Sequence, residues 1–243
     1  LYQVYSVLTN AYSRPIETPI HNLRPAQETC EKCHWPEKFY DPKFVTKKHY
    51  LADEESTEWN IQLLMKTGPQ HSALGQSEGI HWHINPDIQI EYTSSNWKRD
   101  TIIEVTYTSL LSGESRVYKS ENSDEIVQTD PQTRIMDCLD CHNRPSHNYL
   151  SPMNFVDREI TAGNISRDIP EIKSMAMYYL ARQFPTKDSA FNYISTKIHE
   201  YYQENHEDFY HNNKELFISA VKAIQNGYEK NVFPYMKAQW KDY

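Results

Sequence analysis

The chain has 243 residues, of which 38% are hydrophobic, and a formal net charge of −8 at pH 7. This acidic balance argues against a general nucleic-acid-binding surface, because such a surface needs clustered basic side chains. Glycine is scarce, at 6 residues, and no glycine-rich phosphate-binding loop is present. The best apolar runs are about five residues long, well below the roughly 18 that a membrane helix needs, so no spanning segment is predicted in this sequence.

The first half of the chain is predicted to contain short elements. Residues 1–10 favour a helix, and residues 54–66 favour a second helix that ends before Gly68. Between residues 80 and 120, alternating apolar side chains and β-branched runs predict about three antiparallel strands. Residues 122–133 are polar and are expected to form a loop.

The sequence after Pro152 is typical of helices. A capping side chain, a proline and a glutamate at 168–171 predict the start of a helix that runs to about residue 184. Further helices are predicted at 188–202 and 213–226. The last of them is expected to end at Gly227, because glycine favours helix ends.

Two copies of one cysteine motif carry the strongest functional signal. Both read C-x-x-C-H and together they use all 4 cysteines: Cys30-Glu31-Lys32-Cys33-His34 and Cys138-Leu139-Asp140-Cys141-His142. This spacing is typical of haem c attachment. The two thiols bond to the two vinyl groups of one haem, and the histidine after them is held under the iron as its proximal ligand. We therefore predict two haems c, with His34 and His142 as proximal ligands.

Other functions of the cysteine pairs fit the sequence less well. Two zinc-binding pairs normally lie roughly 15–20 residues apart, whereas these pairs lie at 30–33 and 138–141. A zinc site would also leave the histidine after each pair unexplained. Redox-active dithiols usually occur in a βαβ context, which this sequence does not predict.

The second axial ligand of each iron has several candidates among the remaining histidines: His147, His21, His49, His81, His83 and His71. His147 lies so close to its own motif that it is better placed to bind a neighbouring haem. His21 precedes the first motif and is placed similarly. Three histidines of the helical region are expected to be surface residues: His199, His206 and His211.

The sequences around both motifs resemble a known family. Residues 21–39, which contain the first motif, and residues 137–147, which contain the second, are similar to the NapC/NirT family of multihaem cytochromes c. The resemblance extends from the start of the chain to about residue 152 and continues more weakly into the helical region. It involves the flanking residues as well as the cysteines.

The resemblance implies an electron-transfer protein of the bacterial inner membrane. Family members have an N-terminal membrane anchor and several haems that face the periplasm, and they pass electrons from a quinol to a periplasmic reductase or another cytochrome. By position, His147 corresponds to a distal ligand, and His21 and His49 lie in similar contexts. The anchor and the haem motifs expected before it are absent from this sequence. We therefore expect an internal part of a longer protein, with quinol oxidation outside it.

The predicted fold is α+β with much irregular structure, organised by its haems. It comprises a first haem segment at 1–78, a small antiparallel β-rich insertion at 79–133, a second haem segment at 134–152 and a helical region at 153–243. The predicted location is the periplasmic or extracellular face of the inner membrane, because haem c attachment requires export. The expected partners are other haem proteins or further haem domains of the same polypeptide.

The predicted function is transfer of single electrons, which makes an electron carrier the favoured class over an enzyme. The first alternative is a catalytic multihaem oxidoreductase that acts on a small nitrogen or sulfur oxyanion, or a quinol dehydrogenase-type enzyme. The second is a subunit of an extracellular cytochrome polymer. A zinc-binding interaction protein is the last alternative.

Overall fold

The computed structural model describes residues 2–18, 26, 30, 32–34, 41–68, 78–142 and 147–242. The chain divides into two compact units. The helical unit comprises Leu1–Glu17, Thr46–Ile61 and Pro145–Tyr243, and the sheet unit comprises Thr18–Val45 and Gln62–Arg144. Within the described residues, no helix combines the length and the apolar character needed to cross a membrane.

The sheet unit contains a four-stranded antiparallel sheet in the order β5-β4-β3-β6, followed by the one-turn helix α2 (Cys138–Cys141). Its strands are β3 (Ile88–Ser94), β4 (Ile102–Ser109), β5 (Ser115–Lys119) and β6 (Gln132–Ile135). The first three lie within residues 80–120, where the sequence predicts strands. The prediction of a loop at 122–133 is wrong at its end, because β6 begins at Gln132 and pairs with β3. β6 is short and mostly exposed, so it lacks the alternation that marks a half-buried strand.

A separate two-stranded sheet pairs β1 (Lys43–Tyr50) with β2 (Glu58–Met65). The predicted helix at 54–66 is therefore wrong. β2 contains good helix formers, but pairing with a neighbouring strand overrides such weak local preferences. The side chains of Lys48 and Glu58 also meet across this sheet at 3.4 Å.

The helical unit begins with α1 (Tyr2–Leu8) and is completed by five helices after residue 150. They are α3 (Pro152–Thr161), α4 (Ile172–Leu180), α5 (Lys187–Asn205), α6 (Glu207–Asn212) and α7 (Lys214–Asn231). Side-chain capping explains where α3 and α5 begin. The Ser151 side chain accepts a hydrogen bond from the N–H of Asn154, and the Thr186 side chain accepts one from the N–H of Ser189. The apolar faces of the helices form one core, whose fully buried large side chains include Phe155, Ile194, Ile198, Tyr202, Phe217 and Ile224.

Two predicted helix boundaries are wrong. The signals at 168–171 do not start the helix, because Glu171 has a φ of 56° and α4 begins only at Ile172. Gly227 does not end α7, which continues to Asn231. A Cβ atom on Gly227 would lie 2.5 Å from the Phe155 ring. The glycine is therefore needed for the close approach of α3 and α7.

Candidate functional site

Both C-x-x-C-H segments fold as one helical turn. In the first, the N–H groups of Cys33 and His34 donate to the Cys30 carbonyl at 3.1 and 2.8 Å. In the second, which is α2, the N–H of His142 donates to the Cys138 carbonyl, again at 2.8 Å. Residues three and four apart share one face of a helix. Each turn therefore places two cysteines and the following histidine on one side.

The chemistry and exposure of these side chains fit haem c. Cys33 and Cys141 are exposed residues outside any disulfide, Cys30 and Cys138 are partly exposed, and both motif histidines are exposed. Two cysteines and an imidazole on one turn are the donors that haem c attachment requires. Among the described residues, which include all four cysteines, no three Cys, His, Asp or Glu side chains form a metal-binding group.

The second motif has its own helix cap. Asp137, which is buried, accepts a hydrogen bond from the N–H of Leu139 at 2.8 Å. In return, the Asp140 side chain accepts from the N–H of Asp137 at 2.8 Å, which completes a capping box. The reciprocal pair satisfies amide groups that a single helical turn would otherwise leave without partners.

The first motif is connected to this cap through Ala26. The N–H of Cys30 donates to the Ala26 carbonyl at 2.7 Å. The N–H of Ala26, a fully buried residue, donates to the Asp137 carboxylate at 3.4 Å. The two motifs are therefore linked by two consecutive hydrogen bonds within the sheet unit, although they are far apart in sequence.

Asp140 attaches the second motif to the four-stranded sheet. Its carboxylate accepts hydrogen bonds from the Tyr92 hydroxyl at 2.6 Å and from Arg99 at 2.8 Å, and it lies 3.1 Å from Arg134. Burial and then the bond to Asp140 raise the pKa of Tyr92 to about 12. Partial covering of the sulfur and then the Asp140 charge raise the pKa of the Cys141 thiol. The β-rich segment therefore positions the second C-x-x-C-H turn, a role that the sequence does not predict.

The candidate distal ligands differ in how their rings are held. His21 and His71 lie outside the described residues. His81 donates from Nδ1 to the Thr67 carbonyl at 2.8 Å. For His83, burial and then the neighbouring His81 lower the pKa, which favours the neutral ring that a metal needs.

The other two candidates belong to the helical unit. His147 donates from Nε2 to the Lys230 carbonyl at 2.7 Å and has edge contacts with Tyr149 and Phe233. Its Nε2 is thus already used, and ligation would require Nδ1 or the loss of this bond. His49 instead bonds to the Asp157 carboxylate through Nδ1. The assignment of all six candidates stays a prediction.

The expectation of surface positions holds for only part of the helical histidines. His211 is exposed and lies 3.9 Å from Glu207, and His206 is partly exposed beside Glu171. His199 is partly buried, with Nδ1 3.0 Å from the Tyr210 hydroxyl, and burial lowers its pKa. His199 is therefore only partly at the surface, because α6 packs against that face of α5.

A cavity of about 820 Å³ lies in the helical unit. Aromatic side chains contribute much of its wall, among them Phe184, Tyr228, Phe233 and Trp240. None of the described candidate haem ligands lines it. The cavity therefore does not belong to the site that the cysteine motifs indicate.

The whole chain is similar to a c-type cytochrome. It is 35% identical, over 247 aligned positions, to the cytochrome c-type protein ImcH of Geobacter sulfurreducens. The alignment includes 100% of this chain and 48% of that protein, so the chain spans about half the length of this relative. No protein-family model matches the chain, and no solved structure matches it.

Proposed function

We propose that the chain is an electron-transfer region of a multihaem c-type cytochrome and holds two haems. Cys30 and Cys33 would attach one haem, and the equivalent pair in α2 would attach the other. The observation that carries the proposal is that both C-x-x-C-H segments fold as the same helical turn with an exposed second thiol and imidazole. Similarity of the whole chain to a c-type cytochrome supports it.

The side chains of the two turns would perform attachment and ligation. Each thiol would add across a vinyl C=C bond, so that sulfur bonds to one carbon and the thiol hydrogen ends on the other, with no leaving group and no net oxidation. The imidazoles of His34 and His142 would each hold an iron as its proximal ligand. When bound, haem c supplies an iron that changes between Fe(III) and Fe(II) by one electron. The hydrogen bond between Ala26 and Asp137 links the two turns, which would favour electron transfer between the haems that they hold.

The wider role is also a proposal. The chain would belong to a longer polypeptide on the outer side of the bacterial inner membrane, with an α+β fold organised by its haems. It would receive electrons from a quinol-oxidising part outside this chain and pass them to another haem protein. The resemblance to the NapC/NirT family supports this direction of electron transfer. The net charge of −8, made more negative by haem propionates, favours a partner with a basic docking face.

The test is peptide mass analysis of the full-length protein produced with a haem c maturation system. We expect the peptides containing 30–33 and 138–141 each to carry one haem. The double variant Cys30→Ala/Cys33→Ala should lose the first haem only, and Cys138→Ala/Cys141→Ala the second only. Unmodified masses for both wild-type peptides would contradict the proposal.

Spectroscopy of the same protein separates electron transfer from catalysis. An electron carrier keeps a low-spin spectrum that carbon monoxide and nitrite leave unchanged, because both axial positions of each iron are filled. A spectral shift with either ligand, assigned to a haem of this chain, would favour the catalytic alternative instead.

A further inference from the structure

A buried ion pair lies in the helical unit, away from the C-x-x-C-H turns in sequence. Lys173 Nζ lies 2.6 Å from Asp157 Oδ1, and the two residues are 4% and 2% exposed. Lys173 also donates to the main-chain carbonyl of Tyr50. Taking two charges out of water is costly, and well-packed apolar residues often replace such a pair without loss of stability. Packing alone therefore does not explain this pair.

The second oxygen of Asp157 holds a histidine ring. His49 Nδ1 lies 3.0 Å from Asp157 Oδ2. Because an ionised carboxylate only accepts hydrogen bonds, His49 donates from Nδ1. Its Nε2 has no hydrogen-bond partner in the described part of the chain, so this nitrogen remains available to a metal.

An exposed aromatic ring lies beside this histidine. The ring centroids of His49 and Trp59 are 5.3 Å apart, and Trp59 is 45% exposed. The His49 side chain itself is not fully enclosed. An imidazole whose Nε2 has no partner, next to an accessible aromatic face, is a suitable place for a flat, apolar metal complex such as a porphyrin.

The other histidines of the helical unit are held differently. Nε2 of His147 donates its hydrogen to the Lys230 carbonyl. Ligation would therefore have to use Nδ1, where the Cβ atom of the same residue hinders the approach of a porphyrin. His211 is exposed and has Glu207 and the Tyr210 ring near it. Of the histidines that the structure describes, His49 alone donates from Nδ1 to a carboxylate.

We infer that His49 is an axial ligand of a haem iron and that Asp157, held in place by Lys173, positions its ring. The inference rests on the proposed function. A histidine that ligates metal usually donates its other N–H to a carboxylate or carbonyl, which fixes the tautomer and strengthens the ligand. Asp157 provides this acceptor, and the Lys173 charge offsets the carboxylate in the core. Asp157 and Lys173 are thus positioning residues.

The first test replaces the ligand in the full-length, haem-loaded protein. We expect His49→Ala to convert one haem from low spin to high spin, to let that haem bind carbon monoxide when reduced, and to recover the low-spin spectrum with added imidazole. The control is His211→Ala, which should leave every haem low spin. A low-spin, carbon monoxide-insensitive His49→Ala protein would overturn the inference while leaving the proposed function intact. Absence of covalent haem from the wild type would overturn both.

The second test removes the positioning pair without leaving a lone buried charge. In Asp157→Asn/Lys173→Met, an amide oxygen replaces the carboxylate, so the imidazole donates less electron density to iron. We expect one haem to remain low spin but to have a higher reduction potential. The matched control is Lys187→Met/Glu229→Gln, an exposed pair of the same unit at 2.8 Å, which should leave all potentials unchanged. Unchanged potentials in the buried-pair variant would show that the pair is only structural and would overturn its positioning role.

Discussion

The main-chain N–H of Ala26 donates a hydrogen bond to the carboxylate of Asp137, 111 residues further along the chain. The same carboxylate caps α2, and the Ala26 carbonyl accepts from Cys30. One aspartate therefore orders the second C-x-x-C-H turn and restrains the first. Any change at this position is expected to affect both turns.

We expect Asp137→Ala to lower the free energy of unfolding by about 1–2 kcal/mol, the usual cost of losing a helix N-cap. Hydrogen–deuterium exchange should become faster at Leu139 and also in the segment that contains Ala26. Asp124→Ala, at an exposed position of the same unit, serves as the control. If exchange rises around Leu139 only, the link between the two turns makes no contribution in solution.

Asp140→Asn is predicted to destabilise the sheet unit strongly. The carboxylate is only 6% exposed and neutralises Arg99, whose side chain is also largely buried. Breaking a buried pair leaves an uncompensated charge and costs about 3–5 kcal/mol. The control is Glu114→Gln, because Glu114 and Arg116 form an exposed pair that contributes about 0–1 kcal/mol. Urea unfolding measures both, and equal losses would show that burial of Asp140 adds nothing.

Gly227→Ala is predicted to destabilise the helical unit by about 1–3 kcal/mol, because the new methyl group overlaps the Phe155 ring. Phe155→Leu should relieve part of this cost, so the two changes should be non-additive in a double-mutant cycle. Lys222→Ala, on the exposed side of α7, should change stability by less than about 0.5 kcal/mol. Additive losses for the pair would contradict the proposed contact.

His199 should make the stability of the helical unit depend on pH. Burial lowers its pKa below the usual 6.5, so the unfolded chain binds more protons than the folded one as the pH falls. The contribution is fully present above pH 6.5 and is lost as the pH falls through the folded pKa. His199→Asn, which keeps a polar atom near Tyr210, should therefore lose less stability than the wild type between about pH 7.5 and about pH 5.5. Identical losses of stability for the two proteins, measured by urea unfolding at both pH values, would contradict this prediction.

The sequence indicates the two C-x-x-C-H turns more directly than it indicates the residues that surround them. The C-x-x-C-H spacing is itself a property of one helical turn, so local sequence is sufficient to predict the donor set. The ion pairs of Asp140 with Arg99 and Arg134 join residues from three separate segments, and no local pattern signals them. The same holds for the ring of His49, which is held by a residue 108 positions away.

Errors in the predicted fold have a similar cause. Strand β2 contains good helix formers, and its conformation depends on pairing with β1. Glycine is common where helices end, so Gly227 predicts an end there. In the structure α7 continues past this residue, and the glycine instead allows close packing against Phe155. Where long-range contacts oppose local preference, the contacts prevail. The predicted helices at 188–202 and 213–226 agree more closely with α5 and α7, because their apolar spacing and the packed face coincide.

The contact of Lys173 with the carbonyl of Tyr50 has a consequence for the order of biogenesis. It joins residues 123 positions apart, so the helical core cannot close until residue 173 has been synthesised. All four cysteines precede that position in the chain. Contacts of such long sequence separation form slowly, because loop closure must come first. If the cysteines carry haem as proposed, a haem-attaching enzyme can therefore reach every thiol before the helical core closes.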